Sequence, residues 1–131
     1  MEIIKISTKK AAELIEITTA VQSAVDKTAV KNGLAFVFSP HTTAGITINE
    51  HADPSVGRDI RKALDKIVPL SDGYEHAEGN SAAHIKASMA GPSQVIMVVN
   101  GTLRLGTWQG VFFCEFDGPR NREVWVKVTE G

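Results

Sequence analysis

The sequence predicts an α+β fold: a largely antiparallel β-sheet sandwich with about three flanking helices, in a single domain. Three observations carry that expectation. Short runs rich in Ile, Val, Phe and Thr recur between turn residues, three stretches show helical spacing, and Asn100-Gly101 sits between two apolar runs as a hairpin signal. Strands in series with interspersed helices argue against a doubly wound parallel sheet. A chain of 131 residues, 43% apolar and 22% charged, has the size and composition to bury one core.

Taken in order, residues 2–7 and 13–17 are isoleucine-rich and predict two short strands joined by the polar turn around TKK, with a helix as the alternative for the second. From Thr19 the pattern changes to helical spacing of Val21, Ala24, Val25 and Ala29. Thr19 with Gln22 resembles a capping box and Asn32-Gly33 supplies a stop, so a helix is expected over 19–32. LAFVFS at 34–39 reads as a buried strand ending at Pro40, and GITINE at 45–50 alternates like the next one. Asp53-Pro54 places a capping carboxylate before a proline at the first helical position. Val56, Ile60, Leu64 and Ile67 then form one stripe, which predicts a helix over 54–67.

Residues 70–81 carry two glycines and no periodicity and read as an exposed loop. Ser81 is positioned to cap a helix over 82–90, with Ala82, Ile85 and Met89 facing inward and Gly91-Pro92 as the stop. SQVIMVV at 93–99, TLRL at 102–105, WQGVFFCEF and EVWVKVT follow, the last two separated by Asp117-Gly118-Pro119. Together they predict an antiparallel meander in the C-terminal third.

Charge excludes some partners. Fourteen basic and fifteen acidic residues leave a net charge of -1, so no global field draws the chain onto nucleic acid. The N-terminus has no apolar signal core, and no apolar run is long enough to span a bilayer. Cys114, the single cysteine, lies inside an apolar run and reads as a small buried thiol, which fits a reducing, cytoplasmic setting.

Three segments hold chemistry-bearing residues. In HTTAGITINE, His41 follows a proline at the mouth of a strand, and Thr42 and Thr43 offer hydroxyls and amides to a ligand. In EHAEGNSAAHIK, His76, Glu75, Glu78, Asn80 and His84 supply the imidazoles and carboxylates that a divalent ion such as Zn, Mg or Mn requires. Their spacing matches no local metal motif. Glu50 is a candidate general base, and the neighbouring His51 is read as a surface residue. In LGTWQG, Gly106 and Gly110 bracket Thr107, Trp108 and Gln109: either a bulged strand with a core tryptophan or a close backbone approach to a ligand. Arg104, Arg120 and Arg122 are the cationic options for a phosphate. No P-loop, nucleophile elbow or dinucleotide fingerprint occurs, so no nucleotide cofactor is expected.

HTTAGITINE, DPSVGRDI, EGNSAAHIKASMAGPS, LGTWQG and CEFDGPRNR, taken as successive blocks from about residue 34 onward, resemble the YjbQ-like family, often labelled secondary thiamine-phosphate synthases. The resemblance implies a small homotrimer with a polar, histidine-bearing pocket near the subunit boundary, in which a metal or an anion binds. The family's polar positions match His41, Thr42, Thr43, Glu50, His76, Asn80, His84, Lys86, Ser88, Thr107, Trp108 and Gln109. Ala82 stands where many relatives carry an acid, and His51 where Asn or Gly is common.

The implied activity joins a pyrimidine pyrophosphate to a thiazole phosphate. His41, His76 and His84 would be metal or phosphate ligands. His41, His84, Glu50 and Lys86 would serve the chemistry, with Lys86 as counter-charge, and Trp108 would be a stacking platform. Two alternatives stay open: metal-dependent hydrolysis of a small phosphate or amide, and a non-catalytic ligand-binding trimer.

Overall fold

The computed structural model describes residues 1–131. Eight strands form two sheets, and every hydrogen-bonded strand pair is antiparallel. The strands are β1 (Glu2–Ser7), β2 (Glu13–Glu16), β3 (Gly33–Phe38), β4 (Ala44–Glu50), β5 (Ser93–Val99), β6 (Thr102–Leu103), β7 (Gln109–Glu115) and β8 (Asn121–Glu130). One sheet runs in the order β1-β8-β3-β5-β6 and the other β2-β7-β4. Helices α1 (Thr18–Asp26), α2 (Pro54–Ile67) and α3 (Ser81–Ala90) complete the fold. The α+β sandwich expected from the sequence is therefore observed. No helix is long and apolar enough to cross a membrane.

The core follows from period-two alternation. Ala35, Val37, Ile96, Val98, Val124 and Val126 point inward from the larger sheet and meet Ile46, Val111 and Phe113 of the smaller one. Val21, Ala24 and Val25 of α1 pack into the same cluster. Helix α1 is shorter than the stretch 19–32. It ends at Asp26 because Thr28 turns its amide and hydroxyl back onto the Val25 carbonyl. Its start has no side-chain cap, and Gln22 bonds instead to Gly101 and Leu103, fastening the β5–β6 hairpin to the helix. That hairpin turns at Asn100 and Gly101, both at positive φ, as predicted.

The C-terminal strands do not form a meander. β7 lies between β2 and β4 in the smaller sheet, whereas β8 lies between β1 and β3 in the larger one. The first two strands are likewise split between the sheets. Hairpin reasoning assumes that consecutive strands pair, and here the chain crosses between layers instead.

Helix α2 begins as predicted, with Asp53 accepting from the Ser55 amide and Pro54 in the first turn. None of its residues is fully buried. Helix α3 starts at Ser81 with Asn80 in the cap position, so Ser81 is not the cap. Its buried face is Ala82, Ala83, Lys86 and Ala87, while Ile85 and Met89 are exposed. Gly45 explains this small-residue face. A Cβ there would come within 2.8 Å of the Gly91 carbonyl and 3.0 Å of the Ala90 methyl, so α3 rests directly on the backbone of β4.

Candidate functional site

At one end of the sandwich the chain crosses between the sheets through 39–43 from β3 to β4 and through 116–120 from β7 to β8. The loop before α3 reaches the same end. These connectors enclose a pocket of about 430 Å³ lined by Pro40, His41, Thr42, Thr43, His76, Glu78, Asn80, His84, Asp117, Arg120 and Arg122. Nine of the residues singled out from the sequence meet there, namely His41, Thr42, Thr43, His76, Glu78, Asn80, His84, Arg120 and Arg122.

The floor is an ion pair. Glu115, fully buried, receives Arg122 Nε at 2.9 Å and Nη2 at 2.5 Å, the Thr8 hydroxyl at 2.7 Å and the Asp117 amide at 3.1 Å. Burial pushes the Glu115 carboxyl up, but the bonds from Arg122, Thr8 and Asp117 outweigh it and hold the group below its ordinary value. Arg122 also donates to the Thr43 hydroxyl at 2.9 Å, which fixes that side chain at the pocket wall. An acid at the end of the apolar run VFFC, seven residues before an arginine, is the signal in the sequence that would have revealed this pair.

His41 is held by its own tertiary contact. Its Nε2 accepts the backbone N–H of Glu123 at 2.9 Å, and its ring meets Phe113 edge-on at 6.4 Å. An amide N–H only donates, so Nε2 is the unprotonated nitrogen and Nδ1–H is the donor left to the ring. Burial and the neighbouring Arg122 charge lower its pKa, although the charges of Glu115 and Glu123 work in the opposite direction.

His76 and His84 stand with rings perpendicular and centroids 5.3 Å apart, and Glu78 lies 4.0 Å from His76 Nε2. Beside them Asn80 donates to Asp117 at 2.9 Å, and Arg120 grips the same carboxylate at 3.1 Å. Asn80 Oδ1 is buried with no hydrogen-bond partner. Two imidazoles, a carboxylate and an orphaned amide oxygen are the kinds of donor that suit a divalent ion. No three His, Cys, Asp or Glu side chains already stand within ligating range of one point. His41 contributes no free lone pair at Nε2.

The other residues named from the sequence lie elsewhere. Lys86 is buried beneath α3 and pairs with Asp65 of α2 at 2.5 Å. It sits two residues from His84, about 200° around the helix. Ser88 returns its hydroxyl to the His84 carbonyl. Thr107, Trp108 and Gln109 form an exposed turn at the opposite end of β7, about 20 Å of strand from Glu115. Trp108 is 63% exposed, so it is neither a core residue nor part of this pocket. Glu50 lines a separate cavity beside His51.

Comparison with known proteins agrees with the fold. The family model described as UPF0047 protein YjbQ-like matches residues 2–131. The UPF0047 protein of Methanocaldococcus jannaschii is 53% identical over 124 residues, covering 95% of this chain and 90% of its own. YugU of Bacillus subtilis, also a UPF0047 protein, is 47% identical with 98% of each chain covered. Among solved structures, a YjbQ/UPF0047 protein of Clostridium acetobutylicum superimposes with a TM-score of 0.97 at 55% identity, covering 98% of this chain and all of that one. A YbjQ-like protein of unknown function from Sulfolobus solfataricus gives 0.95 at 34% identity, covering 99% and 96%. A match spanning all but one residue, with relatives this similar along their whole lengths, makes the chain a member of the YjbQ-like UPF0047 family.

Proposed function

We propose that the pocket at the crossover end binds the phosphate or pyrophosphate group of a small molecule and acts on it as a transferase. One observation carries the reading: apart from Pro40 the pocket wall is made of polar side chains, and it brings two guanidinium groups, the Thr42 and Thr43 hydroxyls and the His41 imidazole to one small volume. Donors of this kind, held in advance by Glu115, Asp117 and Glu123, suit an oxyanion. His76 and His84, with Glu78, would have to draw closer together to hold a divalent ion, and such an ion would draw charge from a phosphate oxygen.

The specific reaction implied by the family resemblance condenses a pyrimidine pyrophosphate with a thiazole phosphate. The thiazole nitrogen forms a bond to the pyrimidine methylene carbon while the carbon–oxygen bond to pyrophosphate breaks. Arg120 and His41 would hold the departing pyrophosphate. Trp108 could stack on a ring in this pocket only if it came from a neighbouring subunit.

Assembly of three copies is part of the same proposal. The outer face of the larger sheet exposes Leu34, Phe36, Phe38, Val95 and Met97, where an antiparallel sheet facing water would carry polar residues.

The test combines pyrophosphate calorimetry with a condensation assay in the presence of Mg²⁺, Mn²⁺ or Zn²⁺. Thiamine phosphate made by the native protein and not by His84→Ala supports the full reading. Pyrophosphate binding without product confines it to anion recognition. Pyrophosphate affinity that is absent, or equal in His84→Ala and Arg120→Ala, would overturn it.

A further inference from the structure

A second constellation lies away from the crossover pocket. β7 runs between β2 and β4, and across it Glu16 at the end of β2 meets His51 just after β4, with Nδ1 2.8 Å from the carboxylate. The contact depends on Gly110. A Cβ at that position would sit 2.7 Å from the His51 Cβ and 2.8 Å from Glu16 Oε2, so any other residue would push the pair apart. Glu16 also accepts the Thr18 hydroxyl at 2.8 Å. A carboxylate on Nδ1 fixes the ring and its tautomer, leaving Nε2 to face a ligand.

This dyad lines a cavity of about 430 Å³ between the smaller sheet and α2. The cavity's carboxylates are mostly satisfied from within the chain. Glu13 accepts the amides of Lys9 and Lys10, Asp53 accepts that of Ser55, and Glu16 is taken by His51. The cations are not. Arg58 and Arg61, one turn apart on the same face of α2, line the cavity without an ion pair or side-chain hydrogen bond, as does Lys10. Only Glu50 remains as an unmatched carboxylate.

We infer that this cavity is a second binding site, which takes a small oxyanion of the phosphate-monoester class between Arg58, Arg61 and the imidazole that Glu16 holds. Two arginines supply the forked donors that phosphate accepts. His51 Nε2 accepts from a protonated phosphate oxygen or, once protonated itself, donates to a bare one. Glu50 receives a hydroxyl or amine elsewhere on the ligand.

The four histidines of the chain allow a site-resolved test. Protein labelled with ¹⁵N is titrated with inorganic phosphate at constant ionic strength while the imidazole nitrogens are followed by NMR. Saturable shifts are expected at His51. Replacing both arginines, Arg58→Gln with Arg61→Gln, should weaken that response about tenfold and leave those of His41 and His84 in place. Gly110→Ala, which crowds the dyad and spares the arginines, should weaken it as well. His51 signals that stay still or drift without saturation, or a response that survives the double replacement, would overturn the inference. Because His41 and His84 report the crossover pocket separately, failure there and failure here are told apart in one experiment.

Discussion

The imidazole of His41 and the backbone of Glu123 are joined by a hydrogen bond of 2.9 Å in which the amide donates to Nε2. It ties the β3–β4 crossover to the start of β8 and sets which nitrogen bears the proton.

His41 is accordingly expected to be neutral at pH 7 as the Nδ1–H tautomer, titrating below the ordinary 6.5 because of burial and Arg122. Nitrogen chemical shifts against pH read both properties. The linkage sign follows from the depressed value: between the folded pKa and 6.5 the unfolded chain binds more protons, so this contribution to stability falls as pH drops through that window. A His41 that titrates at or above 6.5 would contradict the arrangement.

Glu115→Gln is expected to cost about 3–5 kcal/mol, because it leaves the buried Arg122 without a counter-charge. Chemical denaturation measures it. Glu115→Leu with Arg122→Met should recover much of the loss. In the native protein the contribution of Glu115 is present above the ordinary carboxylate value of 4.5 and lost as pH falls through its lower folded value. That acid-limb component should be missing from Glu115→Gln.

Lys86→Met tests whether Lys86 acts as a tether. The ammonium holds Asp65 of α2, a helix that buries none of its own residues. Methionine keeps the apolar stem and removes the charge, so amide exchange in α2 should quicken by about tenfold with pyrophosphate affinity retained. Lost affinity with unchanged exchange would place Lys86 in the pocket's chemistry instead.

Cys114 is buried, and desolvation pushes its thiol up to about 12. Thiol reagents at pH 8 should label it only after unfolding. Rapid labelling of the native protein would show that β7 opens readily.

Phe36→Lys with Met97→Glu, on the outer face of the larger sheet, should convert an assembly of three times 14.1 kDa into single chains by light scattering. A native protein already at 14.1 kDa would exclude the trimer.

Much of the fold was legible locally. Asp53-Pro54 and Asn100-Gly101 act through their own backbone geometry, and alternation along β3, β5 and β8 marks a buried face wherever those strands pair. Helix α3 misled because its inward face was chosen by Gly45 across the interface, which favours alanines over Ile85 and Met89. Trp108 misled because tryptophan in a strand-like run reads as core, whereas the turn before β7 leaves it outside.

Periodicity and residue chemistry within a few positions were enough for the fold class, the presence of three helices and the polar segments around His41, His76 and His84. Which sheet receives β7 and which β8, and with that which side chains meet, is set by long-range packing of the two layers. Glu115 faces Arg122, Glu16 reaches His51 over Gly110, and Lys86 turns from the pocket to Asp65. Those pairings join residues 7, 35 and 21 positions apart: the crossing from β7 to β8 brings Glu115 to Arg122, the order β2-β7-β4 brings Glu16 to His51, and the approach of α3 to α2 brings Lys86 to Asp65.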